Sequence, residues 1–539
     1  MKLASTHSFR LLTIALSLVL SGTLTVPLAA QGIFDDNLDS GSSTTGDVLG
    51  DGGASAAALD PQAEFERANT AAAQLLQDQK FDEALAEFNK VLALDRTFAP
   101  AHFGRARCLS ELGLLDDAIE AYSRAIVSPG AARYEGLVND SHVQRGELYL
   151  ETARFREAAD DFAQAIAQNP GDPQSLFLQA KALLRLVLTS PTQGNDQAGQ
   201  RSLIQAITSL DRAIELDANN GEAYLERGRV LSRIRELDPS IEDLEKAVSI
   251  LGENSQAAAD LGLAFSQRAN FESAKSDADD QQVVADLRAA INAINGFLSA
   301  AEFGTETKSW EPRDPTNNRA ENILMSRAEN MIALANELEG EDRNAIYQQA
   351  IKDCDQILGG TKDPLELARA HFSSGHAKRM LGDIDGAIDD YTKAVDLFPA
   401  YTEAYLRRGI CYFHQNEYDE ALQDFAAAAN DPRNPYQFEP RASYWQGITH
   451  AQQGDDLDAI RAYTRALRSS RNFVPAYLNR GLAYMNVGRN DRAIEDFNNV
   501  LRRDRQNEQA RQFREQAADR LQSEVDNAEM TYDANVGPL

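Results

Sequence analysis

Apolar and small residues recur along this chain in one short pattern. It reads roughly as a small residue, an apolar residue, an aromatic or leucine at the fifth position and a second small residue at the eighth. Ala84 opens ALAEFNKV, Ala118 opens AIEAYSRA and Ala158 opens AADDFAQA. The series continues from Ala206, Ser240, Ala290, Ala350, Ala387, Ala421, Ala459 and Ala493. Apolar side chains three and four positions apart line one face of an α-helix. Successive leaders are 34, 40, 48, 34, 50, 60, 37, 34, 38 and 34 residues apart, so a period of 34 is lengthened by insertions. A fixed period of this size marks a stacked solenoid, in which each unit buries its apolar face only against its neighbours.

Each unit holds two helical stretches. In Thr402 to Arg433 the first, EAYLRRGICYFHQ, puts Tyr405, Gly409 and Tyr412 on one face, and Asn416-Glu417-Tyr418-Asp419 makes a turn. The second, EALQDFAAAA, repeats the pattern with Ala421, Phe425 and Ala428, and Asp431-Pro432 ends it. Gly409 and Ala421 let two helices approach closely while the aromatic residues fill the space beside them.

These residues resemble the tetratricopeptide-repeat (TPR) family, whose consensus sets a large residue, a small residue, an aromatic, a glycine, an alanine, an aromatic, an alanine and often a proline at fixed places. His371, Gly375, Gly382, Ala387, Tyr391, Ala394 and Pro399 fill those places in one unit, with Lys378 in place of the first-helix aromatic. Tyr477, Gly481, Tyr484, Gly488, Ala493 and Phe497 fill them in the last, and Gly146, Tyr149, Phe155, Ala158, Phe162, Ala165 and Pro170 in the third. The pattern is weakest over Ser255 to Asp363, where Ala290 and Ala350 are the nearest matches. The resemblance implies an all-α fold: a right-handed superhelical solenoid of about eleven helical hairpins closed by a C-terminal capping helix. It also implies a protein that binds other proteins.

On this reading residues 1–30 are a signal peptide, 31–63 a flexible acidic Gly/Ser-rich linker and 64–301 a first array of six units. Residues 302–319 are a loop insertion or hinge, 320–506 a second array of five units, 507–530 the capping helix and 531–539 a tail. The signal reading rests on Lys2 and Arg10, then the apolar run Leu11 to Leu20, then small residues up to a cleavage point after Ala30. The expected destination is the periplasm or the exterior; without cleavage, the same segment is a membrane anchor. Asp35, Asn37 and Asp39 fall short of a calcium loop, because Gly46 stands where its final Glu is needed. Further insertions lie at Ser128–Val138, Ser190–Gln200 and Phe271–Gln282.

The formal net charge of −30 opposes nucleic acid and anionic lipid as partners and favours basic protein segments or divalent cations. Three cysteines, Cys108, Cys354 and Cys411, sit inside helical patterns as small hydrophobes rather than as a disulfide framework or a zinc site. No metal, cofactor or catalytic motif is read: His371 and His376 do not share a helix face, Cys411 and His414 make only two ligands, and Asp277, Asp279 and Asp280 read as a solvated loop.

Two finer patterns are candidate sites. Four units carry Arg before the small first-helix residue and Asp 16 residues later: Arg145 with Asp161, Arg227 with Asp243, Arg408 with Asp424 and Arg480 with Asp496. That spacing predicts ion pairs within hairpins. The second is a partner-binding groove, which the TPR resemblance places on the first helices: Phe372, His376, Leu406, Ile410, Phe413, Trp445, Ile448, Leu478, Leu482 and Met485. Aromatic anchors such as Phe413 and Trp445 suit a bound helix or extended segment. The chaperone-binding members of the family clamp a C-terminal carboxylate with basic and Asn side chains, a set missing here. The function read from these features is an exported interaction scaffold, not an enzyme. The alternatives are a role in cell-envelope or polysaccharide processing, as an accessory subunit or an enzyme, and self-association through the ends.

Overall fold

A computed structural model describes residues 61–190, 196–253, 255–275, 278–300, 320–430 and 438–536. The expected signal peptide, the linker up to residue 60 and the insertion 302–319 lie outside the described residues, as does Asp431-Pro432. The described elements are α-helices apart from one short 3-10 turn, Ala131–Arg133, and no strand occurs among them. No described helix is long and apolar enough to cross a membrane.

The chain forms two compact units, Met1–Arg235 and Glu236–Leu539. The first holds four antiparallel hairpins: α1 (Pro61–Gln77) with α2 (Phe81–Leu94), α3 (Ala99–Glu111) with α4 (Leu115–Val127), α5 (Leu137–Glu151) with α6 (Phe155–Gln168), and α7 (Pro173–Thr189) with α8 (Gln197–Leu216). Helix α9 (Gly221–Arg233) packs on α8. The second unit begins with α10 (Leu237–Leu251) and continues with six hairpins: α11 (Gln256–Ser273) with α12 (Asp280–Ala300), α13 (Ala320–Glu337) with α14 (Glu341–Gly360), α15 (Pro364–Met380) with α16 (Ile384–Leu397), α17 (Thr402–His414) with α18 (Tyr418–Ala429), α19 (Glu439–Gln453) with α20 (Asp456–Ser469), and α21 (Val474–Asn486) with α22 (Asn490–Arg503). Helix α23 (Glu508–Val536) covers the last hairpin. Within each unit every helix packs on the next, which is the helical solenoid that the repeat predicts.

The repeat pattern and the core are the same residues. All eleven leaders, from Ala84 to Ala493, are 0 % exposed. Four residues after each comes the side chain that fills the hairpin: Phe88, Tyr122, Phe162, Leu210, Leu244, Ile294, Cys354, Tyr391, Phe425, Tyr463 and Phe497, all buried. Ala290 and Ala350 therefore anchor their units, although the surrounding sequence departs from the pattern. The insertions are absorbed partly by longer helices: α8, α12 and α14 run to 20, 21 and 20 residues, against 12 to 14 for the helices of the uninterrupted hairpins α17–α18 and α21–α22. Side-chain caps fix several starts. Asp172 accepts from the amides of Gln174 and Ser175 ahead of Pro173, and Asp383 accepts from Gly386. The capping helix buries Ala510 and Ala517 and sets Phe513 5.9 Å from Phe497.

The close approach within a hairpin has no slack. A Cβ at Gly409 would lie 2.7 Å from Phe425 Cε1 and 3.1 Å from Asp424 Cβ. The Phe425 ring is fully buried and has nowhere to turn. Gly409→Ala is expected to lower stability by about 1–3 kcal/mol, the usual cost of overpacking, and denaturant unfolding measures it. Gly359, whose Cβ would meet nothing, is the matching control.

Candidate functional site

Half-buried arginines tie the hairpins together. Arg408 Nε and Nη2 fork onto both carboxylate oxygens of Asp424 at 2.8 Å, while Nη1 donates to Thr392 Oγ1 on the preceding helix at 3.0 Å. Arg480 repeats this with Asp496 at 2.8 Å and Thr464 at 2.9 Å. Arg145 does so with Asp161 at 2.7 and 2.6 Å and Ser123 at 2.7 Å. Each guanidinium thus joins its own hairpin to the one before it, a role that the expected pairing inside one hairpin leaves out. Arg227 donates to Asp211 at 2.7 Å; Asp243 belongs to the other compact unit and is buried.

Two further rungs escape the 16-residue spacing. Arg268 forks onto Asp286 at 2.9 and 2.7 Å and reaches Asp238 at 2.7 Å. Arg327 forks onto Asp353 at 2.7 and 2.8 Å and reaches Asn295 at 2.7 Å. The local signal was present, since Arg268-Ala269 and Arg327-Ala328 repeat the arginine before a small residue. Longer helices move the partner to 18 and 26 residues away.

One rung is built differently. Asp390 accepts from His371 Nδ1 at 3.0 Å, Ser374 Oγ at 2.7 Å and Lys378 Nζ at 2.7 Å. Burial alone would raise its pKa, but these hydrogen bonds outweigh burial and hold the carboxyl down at about 2. The unfolded value is about 3.9. A depressed folded value stabilises the fold above the unfolded pKa, and the stabilisation is lost as pH falls towards 2. Asp390→Asn should therefore destabilise the protein by about 2 kcal/mol at pH 7 and much less near pH 2, as read from unfolding midpoints across pH.

The residues expected to line a groove divide into two sets. Leu406, Ile410 and Met485 are buried, which corrects their assignment to a partner surface: they belong to the core. Leu406 and Ile410 pack with Ala421 and Phe425, and Met485 with Ala493 and Phe497. The cause is the stacking itself, since each first helix gives part of its inner face to its neighbours. Phe372, His376, Phe413, Trp445, Ile448, Leu478 and Leu482 stay half-buried. Trp445 on α19 meets the Phe413 ring on α17 edge-on at 5.5 Å and stacks on the buried Phe425 at 6.1 Å. Phe372 stacks on Tyr401 at 4.8 Å. The surface that remains is a run of aromatic and aliphatic side chains along α15, α17, α19 and α21.

The cysteines are packing residues: all three are buried, and burial pushes the Cys108 and Cys411 thiols up to about 11. Asp279, from the acidic cluster, accepts from the amides of Gln281 and Gln282 as a helix cap, and Asp277 lies outside the described residues.

Sequence profiles of the tetratricopeptide repeat match residues 143–188 and 372–435, 75–138, and 474–507. DnaJ homolog subfamily C member 3 of Gallus gallus is 23 % identical over 420 residues, spanning 76 % of this chain and 73 % of that protein. Tetratricopeptide repeat protein 13 of Homo sapiens is 34 % identical over 104 residues, 19 % of this chain and 12 % of that protein. Among solved structures, the P58(IPK) TPR domain matches with 17 % identity and a TM-score of 0.22, covering 72 % of this chain and 99 % of the domain.

Proposed function

The chain is a tetratricopeptide-repeat protein, and from that premise we propose that it is an exported interaction scaffold that holds a partner segment along the first helices of its second unit. The carrying observation is the half-buried aromatic pair Phe413 and Trp445, in line with Phe372, Ile448, Leu478 and Leu482. Aromatic side chains held by packing lose little freedom on binding and so suit an anchor. The relatives support protein partners: the names among them include an Hsp70-Hsp90 organizing protein of Arabidopsis thaliana, 21 % identical over 272 residues. Export rests on the order of charges, apolar run and small residues from Lys2 to Ala30. Sequencing the N-terminus of the protein recovered outside the cytoplasm tests it: Gln31 is the expected first residue, and a chain retained whole in the cytoplasm refutes export.

For the scaffold, the mature protein serves as bait for extract of the cell that makes it. Phe413→Ala with Trp445→Ala is expected to lose the captured proteins while far-ultraviolet dichroism stays helical. Unchanged capture by that double variant would remove the first-helix face from the proposal.

A further inference from the structure

The end of the second unit reverses the charge of the chain. Residues 461–520 hold thirteen arginines, no lysine and seven carboxylates, a surplus of six positive charges; all other residues together carry −36 within the total of −30. Six of these arginines share one edge, where helices end and connections run. Arg468 is in the last turn of α20, and Arg471 is in the connection after it. Arg502 and Arg503 close α22, Arg505 follows, and Arg511 is in the first turn of α23. Two hydrogen bonds tie the edge together: Arg503 Nη2 donates to the Arg471 carbonyl at 2.9 Å, and Arg511 Nη2 to the Arg505 carbonyl at 2.8 Å. All six arginines are exposed.

Among the described residues none of the six has a carboxylate within ion-pair distance, although arginines close in sequence do: Arg461 has Asp458, and Arg492 has Glu495 at 3.1 Å. The carboxylates at this edge are engaged locally. Asp504 accepts from the Gln506 amide and the Asn507 side chain, Glu439 accepts from Ser469, and Glu508 stands in the first turn of α23, where the helix dipole favours an anion. The dipole also accounts for cations in a last turn, and so for Arg468, Arg502 and Arg503. It does not account for Arg471 and Arg505 in the connections, and it opposes Arg511 at a helix start. The edge is therefore a patch of unopposed positive charge on a strongly acidic protein.

The chain carries the complement. Residues 31–66 hold eight carboxylates and no basic residue. Six are the linker aspartates Asp35, Asp36, Asp39, Asp47, Asp51 and Asp60. We propose that the arginine edge of one copy takes the acidic linker of a second copy, so that molecules associate head to tail. Guanidiniums suit this because each presents a fork of donors to a carboxylate. The basic partner that the net charge favours is then the protein itself. The contact joins two different surfaces, so it is heterologous and continues into a ring or an open chain. None of the six arginines belongs to the first-helix run, so the proposal is independent of that surface.

Sedimentation velocity of the chain from Gln31 onward, over a range of concentrations, tests this. Average mass should rise with concentration at about 20 mM salt. The association constant should fall by about tenfold or more at about 500 mM salt, where the screening length drops to about 4 Å. Arg471→Glu with Arg505→Glu alters only connections between helices; it should abolish association with the unfolding midpoint unchanged. Changing the six linker aspartates to Asn should abolish it too. The two variants mixed should form dimers and nothing larger, because one contact is restored: the linker of the arginine variant on the edge of the aspartate variant. The proposal is overturned if the wild type is monomeric at low salt, if association ignores salt, if either variant still associates, or if the mixture stays monomeric. Arginine-dependent binding of a monomeric wild type to phosphatidylglycerol vesicles would assign the edge to a membrane surface instead. A compaction independent of concentration, lost in both variants, would place the linker on the edge of its own copy.

Discussion

Replacing Arg480 with Met is expected to cost about 3–5 kcal/mol at neutral pH, the usual price of breaking a buried pair from one side. Asp496 has 4 % of its side chain exposed, and its carboxylate has Arg480 as its forked partner at 2.8 Å. Burial already pushes the Asp496 carboxyl up from its ordinary value. Without the guanidinium it would have to stay protonated or be buried charged. A folded pKa above the unfolded one means that stability falls as pH rises, so Arg480→Met should be worse at pH 7 than at pH 4. Adding Asp496→Leu should recover most of the loss, because apolar residues of similar size replace buried pairs at little cost. Denaturant midpoints of the single and double variants at the two pH values decide this. A small loss in Arg480→Met, or no recovery in the double variant, would show that the rung is not electrostatically closed.

The same rung explains what the sequence could and could not disclose. Local packing was legible because it repeats: a small leader and a filling side chain four residues on keep their relation in every unit, whatever happens in the loops. Arg145, Arg408 and Arg480 could be paired by counting, since their helices keep the standard length. Arg268 and Arg327 could not, because the insertions separate partners by amounts fixed only when helices lengthen. Which acceptor receives the third guanidinium nitrogen depends on the neighbouring hairpin and has no trace in the spacing within one unit. The inner face shows the same limit. Leu406 and Phe413 lie seven residues apart on one stripe of α17, yet the first is wholly buried and the second half-exposed. Periodicity tells which side of a helix faces inward, not how much of that side the next hairpin covers.

Phe425→Ala separates packing from binding. Phe425 is 0 % exposed, fills the space against Gly409, and supports Trp445 by stacking at 6.1 Å. Truncating a buried phenylalanine costs about 3–5 kcal/mol, combining lost apolar burial with the cavity left behind. In a solenoid stability is a sum over units and their interfaces, so the loss should concentrate in one hairpin and its two neighbours. Amide exchange is therefore expected to accelerate most in α17 and α18, then in α16 and α19, with α22 and α23 little changed. A uniform acceleration along the second unit would instead mean that it unfolds as one cooperative block. The contrast with Phe413→Ala carries the functional content. Phe413 packs beside Trp445 at 5.5 Å but keeps part of its ring open, so its truncation should lower stability less than that of Phe425. If the open face is where a partner sits, Phe413→Ala should cost more in partner affinity than in unfolding free energy. Phe425→Ala, measured well below its unfolding midpoint, should show the reverse order. Equal effects of the two variants on both measurements would mean that the aromatic run is only the seam between hairpins.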